Sequence, residues 1–248
     1  MFTQFNLDFS TNLFDELSNS IEFENIANGR MGANLFDLKE NNLIPLVRTT
    51  TVYKKPSQKF LLIHLSIIEK INKMSNFGNI KLNNALIEIY DSKYTNMKLH
   101  SDQSLDLEPN SYICIFSCYS NPESKSIRKL KVKEKNSGSI KEYILNHNSV
   151  TAFSLETNQK HLHKIILENN DKSDKNKWLG ITFRLSKTYI NFINEVPYFY
   201  QTKTKLRLAN DTEKKEFYKF RSEENQSIHF EYPFIEYTIC HSDLIEPI

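Results

Sequence analysis

Leu99-His100-Ser101-Asp102 places an imidazole and a carboxylate two residues apart. On an extended strand, positions i and i+2 leave the same face of the backbone. One histidine and one carboxylate on a shared face are two thirds of a facial site for a divalent metal. A second histidine from a distant strand completes the 2-His-1-carboxylate set, which suits non-haem Fe(II) and leaves coordination positions open. Lys160-His161-Leu162-His163-Lys164-Ile165-Ile166-Leu167 supplies such a histidine. Trp178-Leu179-Gly180-Ile181-Thr182-Phe183-Arg184 then supplies an arginine on a late β-type segment.

A lone His-x-Asp is weak, and the chain repeats it at His241-Ser242-Asp243. No histidine or arginine follows that copy, so it is expected to be a surface turn or tail contact. The His100 copy has the whole downstream series in order. His-x-Asp, then His, then Arg is what an oxygenase using 2-oxoglutarate needs. The cosubstrate's keto-acid end chelates the metal, and the arginine fork takes its remote carboxylate.

The surroundings carry a family resemblance. Ile87-Glu88-Ile89-Tyr90, then about ten residues to His100-Ser101-Asp102, then Ile113-Cys114-Ile115-Phe116-Ser117 resembles the core of AlkB-like Fe(II)/2-oxoglutarate dioxygenases. In that family an N-x-Y segment precedes the H-x-D, and an apolar strand ending in serine follows. His163-Lys164-Ile165 and Ile181-Thr182-Phe183-Arg184 look like its later pieces. The likeness spans roughly residues 45–190. It implies that His100, Asp102 and His163 bind Fe(II), that Arg184 and Tyr90 hold 2-oxoglutarate, and that O₂ is consumed. It further implies methylated bases in single-stranded nucleic acid as substrate, unstacked to reach a buried metal. A protein side chain or small metabolite is the rival substrate, and a jelly-roll metal-binding module without turnover is the non-enzymatic alternative.

Three departures from the family pattern stand out. Glu88 occupies the position of the usual asparagine. Trp178, six residues before Arg184, occupies that of a frequent second arginine, and its neighbour Lys177 faces the other way on a strand. The histidine is doubled. His161 and His163 share a face, and the apolar strand after His163 marks it as the ligand, leaving His161 one pleat nearer the mouth and within reach of substrate. In the family the segment before the core forms a substrate-facing lid, to which Arg48, Thr50 and Tyr53 would belong. They read equally well as ordinary strand residues.

The 248 residues are 39% apolar with a net charge of +2, enough for one sizeable core and too balanced for a whole-protein field that attracts nucleic acid. Cys114, Cys118 and Cys240 are an odd set without metal-type spacing, as expected of a reducing compartment. No apolar run approaches the roughly eighteen residues of a membrane span, and the N-terminus lacks a signal pattern. A soluble intracellular protein, cytoplasmic or nuclear, is expected.

The pattern predicts a mostly β protein with flanking helices: a double-stranded β-helix (jelly roll) core with an N-terminal lid and supporting helix and a C-terminal helical extension. Residues 1–80 would form the lid and helix, 81–190 the core, and 191–248 an extension packed on it. Ser10-Thr11-Asn12 can cap a short helix through Ser18, and Gly29–Gly32 reads as a turn. Leu43 to Tyr53 alternates like a strand. Ser57 can cap a helix to about Asn72, with Ile63, Ile67 and Ile71 on its apolar stripe and His64 beside it as a structural residue. Strands are expected at 85–90, 97–102, 111–118, 127–134, 140–145, 149–155, 161–167 and 178–185. Lys129, Lys131, Lys133 and Lys135 alternate with Leu130 and Val132. They form either a solvated strand that discourages edge pairing or a phosphate-contacting strip. Beyond 186, a capped helix is expected over 208–224 and an aromatic tail docked on the body.

Overall fold

The segment Tyr112–Tyr119 is buried at every position but its first. A strand covered on both faces belongs between two layers. The computed structural model describes residues 1–38, 42–75, 77–168 and 174–248. In chain order the elements are β1 (Thr3–Asn6), α1 (Phe14–Ser20), β2 (Glu24–Ala27), β3 (Arg30–Phe36), β4 (Ile44–Leu46), β5 (Gln58–Lys59) and α2 (Leu62–Met74). There follow β6 (Asn84–Tyr90), β7 (Tyr112–Tyr119), β8 (Arg128–Glu134), β9 (Ile140–Ile144), β10 (Ser149–Ser154), α3 (Leu155–Lys160), β11 (His161–Leu167) and β12 (Trp178–Arg184). The chain closes with β13 (Thr188–Ile193), β14 (Val196–Phe199), β15 (Arg207–Leu208), α4 (Asp211–Gln226) and β16 (Tyr237–Thr238).

The large sheet runs β1-β10-β7-β12-β6-β3-β2, with β5 added parallel to β3. A three-stranded sheet, β11-β8-β9, lies over part of it. Alternation sorts the side chains. Cys114, Phe116, Leu179, Ile181, Phe183, Ile87 and Ile89 pack against Leu17 of α1 and Ile67 and Ile71 of α2. Burial of each such isoleucine contributes roughly 1.5–3 kcal/mol. Ile113, Ile115, Tyr90 and Trp178 share the second core with Leu130, Val132 and Ile165 of the small sheet. This is the expected jelly-roll arrangement with flanking helices. The first 80 residues do more than form a lid and helix, since they supply four of the large sheet's strands.

Seven of the eight expected core strands form within a residue or two of their places. The exception is 97–102, which stays outside any ladder except for a single bridge between His100 and His163. The strand read into 43–53 shortens to β4, because the Arg48 N–H turns to the Asp106 carboxylate (2.7 Å) instead of a neighbouring strand. α2 starts five residues after Ser57, since Gln58 and Lys59 pair with β3. The turn at Gly29 is tighter than expected, and Arg30, Met31 and Gly32 already belong to β3. Asn210 caps α4 by accepting from the Thr212 and Glu213 N–H groups at 3.0 Å, and Glu213 reaches back to the Asn210 N–H at 2.9 Å. The lysine face of β8 is largely engaged. Lys129 meets Glu168 (2.5 Å) and Glu142 (3.4 Å), and Lys131 meets Glu142 (3.2 Å). Lys135 donates to the carbonyls of Glu224 (2.7 Å) and Ser227 (2.8 Å). Among the described residues no helix is long and apolar enough to cross a membrane.

His64 is fully buried, and its Nδ1 accepts the Leu61 N–H at 2.9 Å, so it caps α2 in place of Ser57. Burial lowers its pKa to about 4. The unfolded chain therefore takes up a proton below about pH 6.5 that the native state refuses until about pH 4, and stability falls with acid through that window. His64→Gln should flatten the dependence of the urea midpoint on pH between 7 and 4. An equally steep profile in the variant would contradict this.

Candidate metal centre

His100 and Asp102 sit on a loop, and side chains replace the ladder it lacks. The Asn158 carboxamide, at the end of α3, accepts the Asp102 N–H (2.8 Å) and donates to the Asp102 carbonyl (2.7 Å). One side chain thus satisfies both backbone groups as a strand would. Ser101 Oγ donates to the His161 carbonyl (2.9 Å), and His100 and His163 exchange backbone hydrogen bonds at 3.0 and 2.7 Å. The other side of the loop is held from α4. Asn225 Oδ1 accepts the Ser101 N–H (2.9 Å), Glu224 Oε1 accepts from the Ser104 N–H (2.8 Å) and hydroxyl (2.6 Å), and Arg221 donates to the Ser101 carbonyl.

Within this frame the potential ligand atoms of His100, Asp102 and His163 all lie within 4.8 Å of one another. His163 Nε2 is 3.4 Å and His100 Nε2 4.0 Å from Asp102 Oδ1. Arg184 places both Nε and Nη2 at 2.8 Å from the other oxygen, Oδ2. One carboxylate oxygen is thereby neutralised, and the other faces the imidazoles. Burial alone would raise the Asp102 carboxyl. Arg184, then His163 and His100, overcome that and hold it well below the usual carboxylate range. His100 Nδ1 lies 2.9 Å from the Lys98 carbonyl, which can only accept, so Nδ1 carries the proton and Nε2 offers its lone pair. Desolvation, and secondarily His163, lower the His100 pKa despite Asp102, though about a third of the side chain (34%) stays exposed. Two imidazoles and a carboxylate, converging with the carboxylate ionised, are a donor set that fits Fe(II).

These residues line a cavity of about 320 Å³ that also receives Tyr90, Glu88, Arg30, Thr182 and Thr49–Thr51. Tyr90 is fully buried and donates its hydroxyl to Glu88 Oε2 at 2.6 Å. Of the lid residues, Thr50 reaches the cavity, while Arg48 and Tyr53 do not. Arg48 spends its guanidinium on Asp106 (2.7 and 3.0 Å) and on the carbonyls of Ile235 (2.7 Å) and Tyr237 (3.0 Å), tying the loop to the tail. Tyr53 is 1% exposed, with its hydroxyl close over Gly32. His161 is also elsewhere. It terminates α3, its Nδ1 lies 2.8 Å from the Thr157 carbonyl, and its ring packs edge-on against Phe2 at 5.4 Å in a separate cavity. His241 is exposed, and Asp243 accepts from the Thr238 hydroxyl, so the second His-x-Asp is a tail contact. Asn158, Arg30 and the α4 contacts were not foreseen. Arg221, Glu224 and Asn225 do lie three and four residues apart, the spacing of one helix face.

Asn158→Ala should cost on the order of 3 kcal/mol by stranding two buried backbone groups. It should also weaken metal retention about 10- to 100-fold, with all three ligands intact. Urea denaturation and metal content after gel filtration measure the two effects. A variant matching the wild type in both would show that the loop is held by other means.

A family model described as 2OG-Fe(II) oxygenase superfamily matches residues 34–184, more than half of the chain and all of the cavity-lining residues except Arg30, Arg221 and Asn225. No curated protein matches. With the match spanning both histidines, the aspartate and Arg184, the chain belongs to the 2OG-Fe(II) oxygenase superfamily: it is a 2-oxoglutarate-dependent dioxygenase that uses Fe(II), 2-oxoglutarate and O₂.

Proposed function

We propose that this is an AlkB-like oxygenase in which His100, Asp102 and His163 hold the iron, Arg184 and Tyr90 hold 2-oxoglutarate, and a methylated base in single-stranded nucleic acid is the substrate. The observation that carries the metal assignment is the convergence of the three ligand atoms within 4.8 Å at the edge of a cavity. Bound iron with 2-oxoglutarate and O₂ supplies the oxidant that inserts one oxygen atom into a substrate C–H, releasing succinate and CO₂, and an N-methyl carbon so hydroxylated leaves as formaldehyde. The protein's own contribution is geometric. Arg184 fixes the Asp102 carboxylate, and the Lys98 carbonyl fixes the His100 tautomer. Leu86, Ile115 and Ile165 give the cavity apolar walls that limit water around the reacting centre.

Iron-loaded protein should release succinate from 2-oxoglutarate, and Asp102→Ala should abolish it. Equal succinate release by both proteins would overturn the assignment. His163→Ala should lose iron and turnover together, whereas His161→Ala should keep most of its iron, because only ligands carry the coordination energy. For the substrate, binding of single-stranded DNA or RNA should weaken steeply with salt. A slope near zero would leave a protein or metabolite as substrate.

A further inference from the structure

Trp178, Tyr90 and Arg30 stand in register across β12, β6 and β3, and one pleat along the same face stand Gly180, Glu88 and Gly32. Residues two apart share a face, so both rows point the same way. Tyr90, Glu88 and Arg30 line the cavity that holds His100, Asp102 and His163. Trp178 brings no cation to it. The indole is 2% exposed, packs 4.8 Å from the Tyr90 ring, and lies back over Gly180, where any Cβ would collide with it.

A cation stands at the opposite end of the row. Arg30 places Nε (2.7 Å) and Nη2 (2.5 Å) on Glu88 Oε1, while the Tyr90 hydroxyl takes Oε2. Its guanidinium lies 5.9 Å from the Tyr90 ring and 5.6 Å from the Tyr94 ring. Glu88 thus occupies one edge of the planar fork. Among the described residues, the other edge, formed by Nη1 and the second Nη2 hydrogen, meets just a 3.4 Å contact from Nη1 to the Tyr94 hydroxyl. A guanidinium can serve two carboxylates on two edges. The cavity's other cations are less suited. Arg184 grips Asp102, itself one of the three metal ligands, and so stands at the metal end of the cavity; Arg221 is bound to Glu224 and the Ser101 carbonyl, and Lys98 is exposed.

We propose that Arg30, held in place by Glu88 and flanked by Tyr90 and Tyr94, anchors the carboxylate of 2-oxoglutarate remote from the iron. The departures at 88 and 178 then form one coupled change. The cation has moved two strands along the same row, and the carboxylate at 88 pairs with it as an ion while its other oxygen accepts from the Tyr90 hydroxyl. Arg184, expected from sequence to take that carboxylate, is left to the metal end, where its fork grips Asp102. This rests on the iron centre proposed above.

The test is calorimetric, on Mn(II)-loaded protein without turnover. Oxalate offers the chelating end alone, and 2-oxoglutarate offers both ends. Arg30→Gln would strand the Glu88 carboxylate, so Arg30→Gln/Glu88→Gln, which restores neutrality, is measured beside it. Both variants should bind Mn(II) and oxalate as the wild type does and lose about 10- to 100-fold in affinity for 2-oxoglutarate. Unchanged 2-oxoglutarate affinity, or an equal loss for both ligands, would overturn the role of Arg30. A wild-type protein that takes Mn(II) but neither ligand would instead overturn the underlying reading of the cavity.

Discussion

The pairing of the Asn158 carboxamide with both backbone groups of Asp102 is the contact on which the metal centre depends. A metal carboxylate needs a fixed backbone beneath it, and fixed backbone in a buried place needs its N–H and C=O satisfied. Elsewhere in the jelly roll a neighbouring strand does this. Around residues 98–106 the chain pairs with β11 only at the His100–His163 bridge, and the Asp102 backbone is taken up by a side chain instead of a strand. Asn158, Ser101, Asn225 and Glu224 substitute, each supplying one or two hydrogen bonds from a different direction.

Charge is managed in the same way. Four arginine–carboxylate pairs surround the loop: Arg184 with Asp102, Arg48 with Asp106, Arg30 with Glu88, and Arg221 with Glu224. Buried ion pairs add little net stability, because desolvation offsets most of the attraction. Their value here is directional. A guanidinium edge sets the plane of the carboxylate it meets. Asp102 is thereby oriented with one oxygen free, and Asp106 is joined to the chain tail through the carbonyls that Arg48 also binds.

Most strands from 84 to 184 were legible because they bury apolar side chains, on one face as in β8 or on both as in β7, β10 and β12; β9, largely exposed, shows itself only by its branched and aromatic residues. The ligands were legible as well, since a histidine and an aspartate with a distant histidine and arginine are chemically conspicuous. The loop was misread as a strand for a physical reason. His-x-Asp puts its side chains on one face both in an extended loop and in a ladder, so spacing cannot distinguish them. Arg48 and Tyr53 looked accessible because long-range partners such as Asp106 and Ile235 leave no local trace in sequence. His161 looked like a neighbour of His163, and the two-residue spacing concealed that α3 ends there and turns the ring toward Phe2. Arg30 was read as part of a turn because the glycines on either side dominate the local pattern, although only Gly29 has a positive φ, at 75°.

The contacts from α4 to the loop carry a consequence for how the protein is made. Ser101 and Asn225 are 124 residues apart, and Ser104 and Glu224 are 120. During synthesis from the N-terminus, both histidines, the aspartate and Arg184 emerge before the helix that holds the loop from its far side. A nascent chain therefore carries every candidate metal ligand before the helix that ties down their loop has been made, so these contacts are among the most non-local in the site.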